Sequence, residues 1–300
     1  MKIGIDIGGT KLSAIALDNK GNQLAVINIP TPKGYKNALN EIIRVTEQLE
    51  KEVQLPVKGI GISLAGIVNN NGSIKYAANL PWLIEKPLIS DLKKYKHNCP
   101  IAIANDANCF TMSEAFDGAA ANTKVVFGLT LGTGVGGGIV INGHIYRGIN
   151  NLSGEWGHIP FPNWNSTKVP RVKCSCGRYG CIETLLSGRA LERIYQSLSG
   201  NLINVPQIVK NASRNDKNAK SAMHIYHQRL AEALSLVVTL IDPDVIVVGG
   251  GLSEINSIYQ IVPKKIAEII SIKNLHTRMV RAKHGPSSGM RGATLLIQRP

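Results

Sequence analysis

Two stretches of this chain follow one plan: apolar residues in alternation, a cluster of glycines, then apolar residues again. The first, over 3–17, is Ile3-Gly-Ile-Asp-Ile-Gly-Gly-Thr-Lys-Leu-Ser-Ala-Ile-Ala-Leu17. The second, over 125–141, is Val125-Val-Phe-Gly-Leu-Thr-Leu-Gly-Thr-Gly-Val-Gly-Gly-Gly-Ile-Val-Ile141. Alternation with a period of two marks a strand, and glycine lets a chain reverse tightly. Each stretch therefore reads as strand, glycine turn, strand, and Asn142-Gly143 after the second is a hairpin signal of its own. The hairpins begin about 125 residues apart in a chain of 300, each at the head of one half. That placement predicts two related α/β domains, 1–118 and 119–300, with a cleft between them. A final helix over 288–300 is expected to pack back on the first domain.

The intervening sequence keeps to that class. Residues 35–53 have helical spacing, with Leu39, Ile42, Ile43, Leu49 and Val53 on one face and Glu47 four residues before Lys51. Short apolar runs at 57–64 and 100–104 read as buried strands, and 107–119 reads as a helix. A long buried helix over 222–241 stops at Asp242-Pro243-Asp244, ahead of a strand at 245–248 and Gly249, Gly250 and Gly251. Strands alternating with helices argue for α/β layers. Residues 159–181 break the pattern, with Pro160, Pro162, Pro170 and three cysteines, and read as an inserted, stapled loop.

Charge narrows the partners. The chain carries 34 basic and 20 acidic side chains, a net +14, and 121–300 hold 21 of the former and 9 of the latter. Such an excess raises the question of nucleic acid, but the basic clusters are short (Lys93, Lys94 and Lys96; Lys264 and Lys265) and no basic tail exists. The expectation is a solvated basic surface that favours small anions, with no nucleic-acid partner. The longest apolar run, near 234–241, falls far short of the ~20 residues that span a bilayer. Asp6 stands where a signal peptide needs its apolar stretch. A soluble cytoplasmic protein is expected, in which five cysteines serve as thiols or metal ligands rather than disulfides.

In the first strand Ile3, Ile5 and Ile7 share one face and Gly4, Asp6 and Gly8 the other. The second face has almost no bulk, carries one carboxylate, and leads into Gly8-Gly9-Thr10-Lys11. Exposed N–H groups beside a hydroxyl and an ammonium suit phosphate oxygens, and the carboxylate suits a metal. The second loop contains Gly132-x-Gly134-x-x-Gly137, which matches a dinucleotide fingerprint, yet that fingerprint needs a helix next and 139–145 alternates as a strand. A second phosphate-cradling hairpin is the consistent reading, with no nicotinamide cofactor.

Cys174-x-Cys176-x4-Cys181, with His158 upstream, offers three thiolates and an imidazole, a common closed structural zinc set. The spacing departs from paired C-x2-C, which leaves redox cysteines as the other reading. Arg171, Lys173 and Arg178 would offset thiolate charge, while Cys99 and Cys109 read as ordinary buried thiols. Asn105-Asp106 stands where a strand gives way to a helix. Asp106 reads both as an N-cap and as a base at a strand's carboxyl end, and the roles agree, because a helix N-terminus keeps a carboxylate ionised. Glu155, His158 and Glu183 flank the cysteine loop and suit a polyhydroxyl ligand.

Five segments together resemble the bacterial ROK sugar kinases: Ile5-Asp-Ile-Gly-Gly-Thr-Lys11, Asn105-Asp-Ala-Asn-Cys109, Leu131-Gly-Thr-Gly-Val-Gly-Gly-Gly138, Gly154-Glu-Trp-Gly-His158 and Cys174-Ser-Cys-Gly-Arg-Tyr-Gly-Cys-Ile-Glu183. Their order and spacing match over nearly the whole chain. The fructokinases are nearest, through 105–120, 154–158, 242–251 and Ala282-Lys-His-Gly-Pro-Ser-Ser-Gly-Met-Arg-Gly292, with N-acetylglucosamine kinase and glucokinase as alternatives. The resemblance implies a two-domain actin-like ATPase (ribonuclease H-like) fold, a homodimer, and transfer of the γ-phosphate of ATP to a sugar hydroxyl. It implies that Gly4, Ile5, Asp6, Ile7, Gly8, Gly9, Thr10 and Lys11, with Gly132, Thr133, Gly134, Val135, Gly136, Gly137 and Gly138, hold the ATP phosphates, with Asp6 near Mg²⁺. Gly249, Gly250 and Gly251 would line the adenosine pocket. Gly66, Asn79, Asn105, Asp106, Glu155, His158 and Glu183 would contact the sugar, with Asp106 as general base. His158, Cys174, Cys176 and Cys181 would bind Zn²⁺. The family also includes transcriptional repressors, which carry an additional N-terminal helix-turn-helix. Asp6 arrives too close to Met1 to leave room for one here, so a kinase is expected.

Overall fold

The computed structural model describes residues 1–69, 71–96, 99–162 and 171–297. Pro170 of the expected stapled loop and residues 298–300 of the expected final helix lie outside the described residues. The chain forms two compact units. Unit 1 joins Met1–Gly118 with Gly143–Ser153 and the segment from His284 onward, and unit 2 joins Ala119–Asn142 with Gly154–Lys283. A single division at 118/119 therefore differs from the structure at 143–153, which goes with unit 1.

In chain order the first elements are β1 (Lys2–Ile7), β2 (Lys11–Leu17), β3 (Gln23–Pro30), α1 (Tyr35–Val53), β4 (Ile60–Leu64), the short β5 (Ile67–Val68) and β6 (Ile74–Tyr76), α2 (Leu88–Tyr95), β7 (Ile101–Asn105) and α3 (Asp106–Phe116). Then come β8 (Val125–Leu131), β9 (Val135–Ile141), the two-residue β10 (His144–Ile145), α4 (Ile182–Leu186), α5 (Gly188–Ser199), α6 (Val205–Ser213) and α7 (Lys217–Ile241). The chain closes with β11 (Val245–Gly249), α8 (Asn256–Ile269), β12 (Arg278–Arg281) and α9 (Ser288–Leu295). No helix among the described residues is long and apolar enough to cross a membrane.

In unit 1 the sheet order is β3-β2-β1-β4-β7, with β1 antiparallel to β2 and parallel to β4, and β4 parallel to β7. Ile3, Ile5 and Ile7 point into a core with Leu12, Ile60, Ile62, Leu64 and the α1 residues Ile42, Val45 and Leu49. Each such side chain contributes about 1.5–3 kcal/mol by leaving water. The buried stripe of α1 is Ala38, Ile42, Val45 and Leu49; Leu39, Ile43 and Val53, expected on it, sit half-buried at its edge.

The other face of β1 corrects one expectation. A Cβ on Gly4 would lie 1.9 Å from the Met290 carbonyl oxygen, and one on Gly61 only 1.7 Å from that of Ala293. The bare stripe across β1 and β4 thus admits the backbone of α9, and Gly4 lies beneath that helix instead of facing a phosphate. Ile5 and Ile7 keep their side chains in the core, so only their backbone remains for a ligand.

Unit 2 repeats the plan. Within its sheet the order β9-β8-β11-β12 matches β2-β1-β4-β7: an antiparallel hairpin followed by two parallel strands. Phe127, Leu129, Leu131, Ile246 and Val248 join Leu230 and Leu234 of α7 and Ile258 and Val262 of α8 in one core. Trp156 meets Phe127 edge-on, with ring centroids 5.6 Å apart. The helix α7 starts earlier than the expected residue 222 because Asp216 caps it, accepting the Ala219 N–H at 2.7 Å. It ends at Asp242, which takes a left-handed conformation (φ 47°) ahead of Pro243.

Candidate active site

In unit 1 the three parallel strands end side by side, which gathers Asp6, Ser63 and Asn105 at one edge of the sheet; Asp6 pairs with Ser63, and Leu64 with Asn105. Ser63 Oγ donates to Asp6 Oδ1 at 2.6 Å. Burial pushes the Asp6 carboxyl above its ordinary value, and the Ser63 hydrogen bond and the Lys11 charge oppose that rise. Ser63 escaped the sequence reading; its signal was the one hydroxyl in the apolar run of β4.

Asn105 and Asp106 divide what had been assigned to Asp106 alone. The N-cap of α3 is Asn105, whose Oδ1 accepts the N–H groups of Ala107 at 2.8 Å and Asn108 at 3.2 Å. Its Nδ2 donates to the Gly66 carbonyl at 3.1 Å, tying two expected sugar-site residues together. Asp106 is the first helical residue, so the capping expectation moves one position back, to the last residue with extended backbone. The Asp106 carboxylate accepts the adjoining Ala107 N–H at 2.9 Å and stays accessible to solvent. The protein around it strips much of its hydration. That desolvation first, and the Asp6 carboxylate second, push its pKa up to about 6.

The turn after β1 is exposed at Gly9, Thr10 and Lys11. Gly8 N–H donates to the Lys11 carbonyl at 2.9 Å, and Thr31 Oγ1 donates to the Gly8 carbonyl at 2.6 Å. Asn79 lies against this turn: a Cβ on Gly9 would sit 3.0 Å from Asn79 Cβ. Unit 1 therefore brings together Asp6, the turn, Gly66, Asn79, Asn105 and Asp106.

In unit 2 the matching turn is tied to the start of α5, where Gly188 N–H donates to the Gly132 carbonyl at 2.8 Å. Gly132 has nothing near its missing Cβ and Thr133 is exposed, so the tip is open. Past the tip the strand turns inward: Val135, Gly137 and Gly138 are buried, and a Cβ on Gly137 would meet Trp156 at 2.6 Å. Those three, expected at the phosphates, serve the packing of β9. Gly249 is buried in β11, and Gly250 lies against the end of β8, its Cβ position 2.3 Å from the Leu131 carbonyl oxygen. Gly251 is open beside it. The tip, Gly250, Gly251 and the α5 start therefore converge.

Glu183, in the first turn of α4, does not hang free. Its Oε2 accepts the Val135 N–H at 3.1 Å, and its Oε1 faces Ser175 Oγ at 3.4 Å and Cys174 Sγ at 3.6 Å. Behind it lies the cysteine cluster. Cys174 Sγ is 3.3 Å from His158 Nδ1, Cys176 Sγ is 3.6 Å from Cys181 Sγ, and the four ligand atoms all lie within 4.8 Å of one another. A tetrahedral ion with metal–sulfur bonds of about 2.3 Å and a metal–nitrogen bond of about 2.0 Å separates its sulfurs by about 3.8 Å and a sulfur from the nitrogen by about 3.5 Å. The donor set fits such an ion. Arg178 Nε donates to Cys176 Sγ at 3.5 Å, as its charge suggested. Glu155 immediately precedes the short 3₁₀ helix Trp156–His158, and its carbonyl accepts the His158 N–H at 3.2 Å.

The sequence matches the ROK family over residues 2–300. The chain belongs to the ROK family. It is 38% identical to the N-acetyl-D-glucosamine kinase of Pectobacterium atrosepticum, over 99% of this chain and 98% of that one. Among solved structures it resembles the ROK hexokinase of Thermus thermophilus (TM-score 0.84, 28% identity, 98% of this chain and 96% of that one). It also resembles a ROK glucokinase of Streptomyces griseus in complex with glucose and AMPPNP (TM-score 0.76, 27% identity, 98% and 97%). The fold is accordingly the two-domain actin-like ATPase fold of ROK proteins. Curated relatives that align with this chain end to end are named N-acetyl-D-glucosamine kinases, the alternative above, and not fructokinases.

Proposed function

We propose that this ROK protein is an ATP-dependent kinase that transfers the γ-phosphate to a hydroxyl of N-acetyl-D-glucosamine. The observation that carries the reading is the division of labour at the head of α3: Asn105 caps the helix, which leaves Asp106 as an accessible carboxylate with a pKa of about 6. A base poised near neutrality is what proton removal from a sugar hydroxyl needs. As that hydroxyl oxygen bonds to the γ-phosphorus, its proton passes to Asp106 and the bridging oxygen leaves with ADP. Transfer of this kind is mostly positioning and electrostatics. Unit 1 contributes the exposed Gly9, Thr10 and Lys11 of the turn and Asp6, a carboxylate suited to the magnesium of MgATP. Unit 2 contributes the 132–134 tip, Gly250 and Gly251 to the nucleotide. Glu155 contributes to sugar binding, as does His158 through Nε2, because its Nδ1 turns toward the cysteines.

Zinc is the proposed occupant of His158, Cys174, Cys176 and Cys181, where it would staple together the segments that carry them. Metal analysis of purified protein should return one zinc per chain; none, with every thiol freely titratable, would reject it. For the activity, the zinc-loaded chain is assayed for ADP release against a panel of sugars. The highest kcat/KM is expected on N-acetyl-D-glucosamine. A clear preference for fructose would restore fructokinase, and no ADP release with any sugar would reject the kinase.

A further inference from the structure

Glu183 bridges two features that lie apart in sequence, the 132–134 tip and the cysteine cluster. One oxygen holds the Val135 N–H, the first amide after the tip, and the other faces Ser175 and Cys174 inside the ligand loop. Its carboxylate lies so close to the tip that a Cβ on Gly134 would be 2.7 Å from Oε2. Two residues before it stands Cys181, a cluster member and the N-cap of α4, and five residues after it Gly188 grips the Gly132 carbonyl. The tip is thus held at both ends by 183–188, a segment that starts at the cluster. Among the described residues of the cluster loop, isolated bridges join Pro160 with Cys181 and Lys173 with Tyr179. A metal at the cluster would fix Ser175, Cys181 and hence the start of α4.

We infer that Glu183 is a positioning residue that transmits occupancy of the cysteine cluster to the 132–134 tip, so that metal binding tightens nucleotide binding. This rests on the tip's role in the proposed function, and it gives Glu183 a task in addition to the sugar contact expected of it. A carboxylate–amide hydrogen bond of this kind is worth roughly 10-fold or more in an equilibrium.

The test is a thermodynamic cycle on the full chain. Wild type and Glu183→Ala are each prepared zinc-loaded and metal-free, and titrated calorimetrically with AMPPNP and separately with N-acetyl-D-glucosamine. Hydrogen exchange at Val135 is followed with no ligand present. In wild type, metal removal should weaken AMPPNP about 10-fold and speed Val135 exchange by a similar factor. Zinc-loaded Glu183→Ala should show both losses while retaining its zinc, and metal removal should add little further in that background. Val135 exchange equally slow in zinc-loaded wild type and Glu183→Ala would overturn the inference. So would a loss confined to sugar affinity, or full metal dependence of AMPPNP binding in the variant. Should the metal-free chain unfold, the zinc-loaded pair still decides through exchange and AMPPNP affinity. Failure of the kinase reading looks different: wild type would bind no AMPPNP, yet Val135 exchange would still respond to Glu183→Ala.

Discussion

Asp6 and Thr130 occupy equivalent places, each two residues before the first glycine of its turn, in β1 and β8. Their surroundings differ. Thr130 Oγ1 accepts the Gly136 N–H at 3.1 Å and so satisfies its own hairpin, whereas Asp6 turns to the neighbouring parallel strand and takes the Ser63 hydroxyl. The turns differ likewise. The 8–11 turn closes on itself and on Thr31, with Lys11 exposed, while the 132–134 tip is gripped from outside by Glu183 and Gly188. One hairpin plan has been specialised in two directions: unit 1 keeps a charged group at the strand end, and unit 2 keeps a braced backbone. Charge at one site and rigid N–H groups at the other are the two things phosphoryl transfer needs from a protein.

The largest effect expected from this contrast lies at Asp106, the second carboxylate at the strand ends of the unit 1 sheet. Asp106→Asn should lower turnover about 10²–10⁴-fold, with nucleotide and sugar affinities retained. Wild-type kcat/KM should fall as pH drops through about 6, where Asp106 takes up its proton. Stability moves the other way. The folded-state pKa is raised above the ordinary carboxylate value, so ionisation costs stability above about pH 6, and that cost disappears as pH falls below the unfolded value. Asp106→Asn should therefore melt no lower than wild type at pH 8, with any gain gone by pH 4. Near-normal turnover in the variant would place the base elsewhere.

A second test separates packing glycines from ligand glycines. Gly61→Ala puts a methyl into the backbone of α9 and should cost about 3 kcal/mol, the upper end for overpacking, because a backbone cannot step aside as a flexible side chain can. A denaturant midpoint unchanged from wild type would show that α9 does not lie so close.

That test also marks how far the sequence could be read. Both hairpins were legible, because alternation and glycine clusters are local signals. So was the parallel strand ending at Asn105-Asp106. What Gly4 faces was not, because its partner Met290 comes from the far end of the chain and a glycine announces close approach without naming what approaches. Nor was the identity of the cap, since Asn and Asp cap equally well and only the backbone at Asn105 (φ −61°, ψ 147°) decides between them. The cysteine spacing left zinc and redox chemistry both open, and the 16 positions that separate His158 from Cys174 in sequence gave no sign that His158 Nδ1 comes to 3.3 Å from Cys174 Sγ.

Asn105→Ala should cost about 1 kcal/mol, the usual effect of losing an N-cap, together with the tether to Gly66. Asp106 sits on the turn that this cap holds, so KM for the sugar should rise as well. A variant that loses stability with an unchanged KM would show that α3 is fixed by its packing alone.

The smallest stability effect belongs to Gly132→Ala, and it bears most directly on the unit 2 tip. Nothing lies near the missing Cβ, and Gly132 is absent from the positive-φ residues, so alanine meets neither a clash nor a strained backbone. Reduced freedom of the unfolded chain offsets any small loss, and stability should stay within about 0.5 kcal/mol of wild type. If the tip is bare because phosphate comes up against it, the added methyl should still raise KM for ATP. Gly134→Ala provides the contrast, since its methyl would push on Glu183 and should lower stability and ATP affinity together. Equal, negligible effects of both substitutions on ATP would mean that the tip is merely a turn, and that the comparison between the two hairpins ends at their fold.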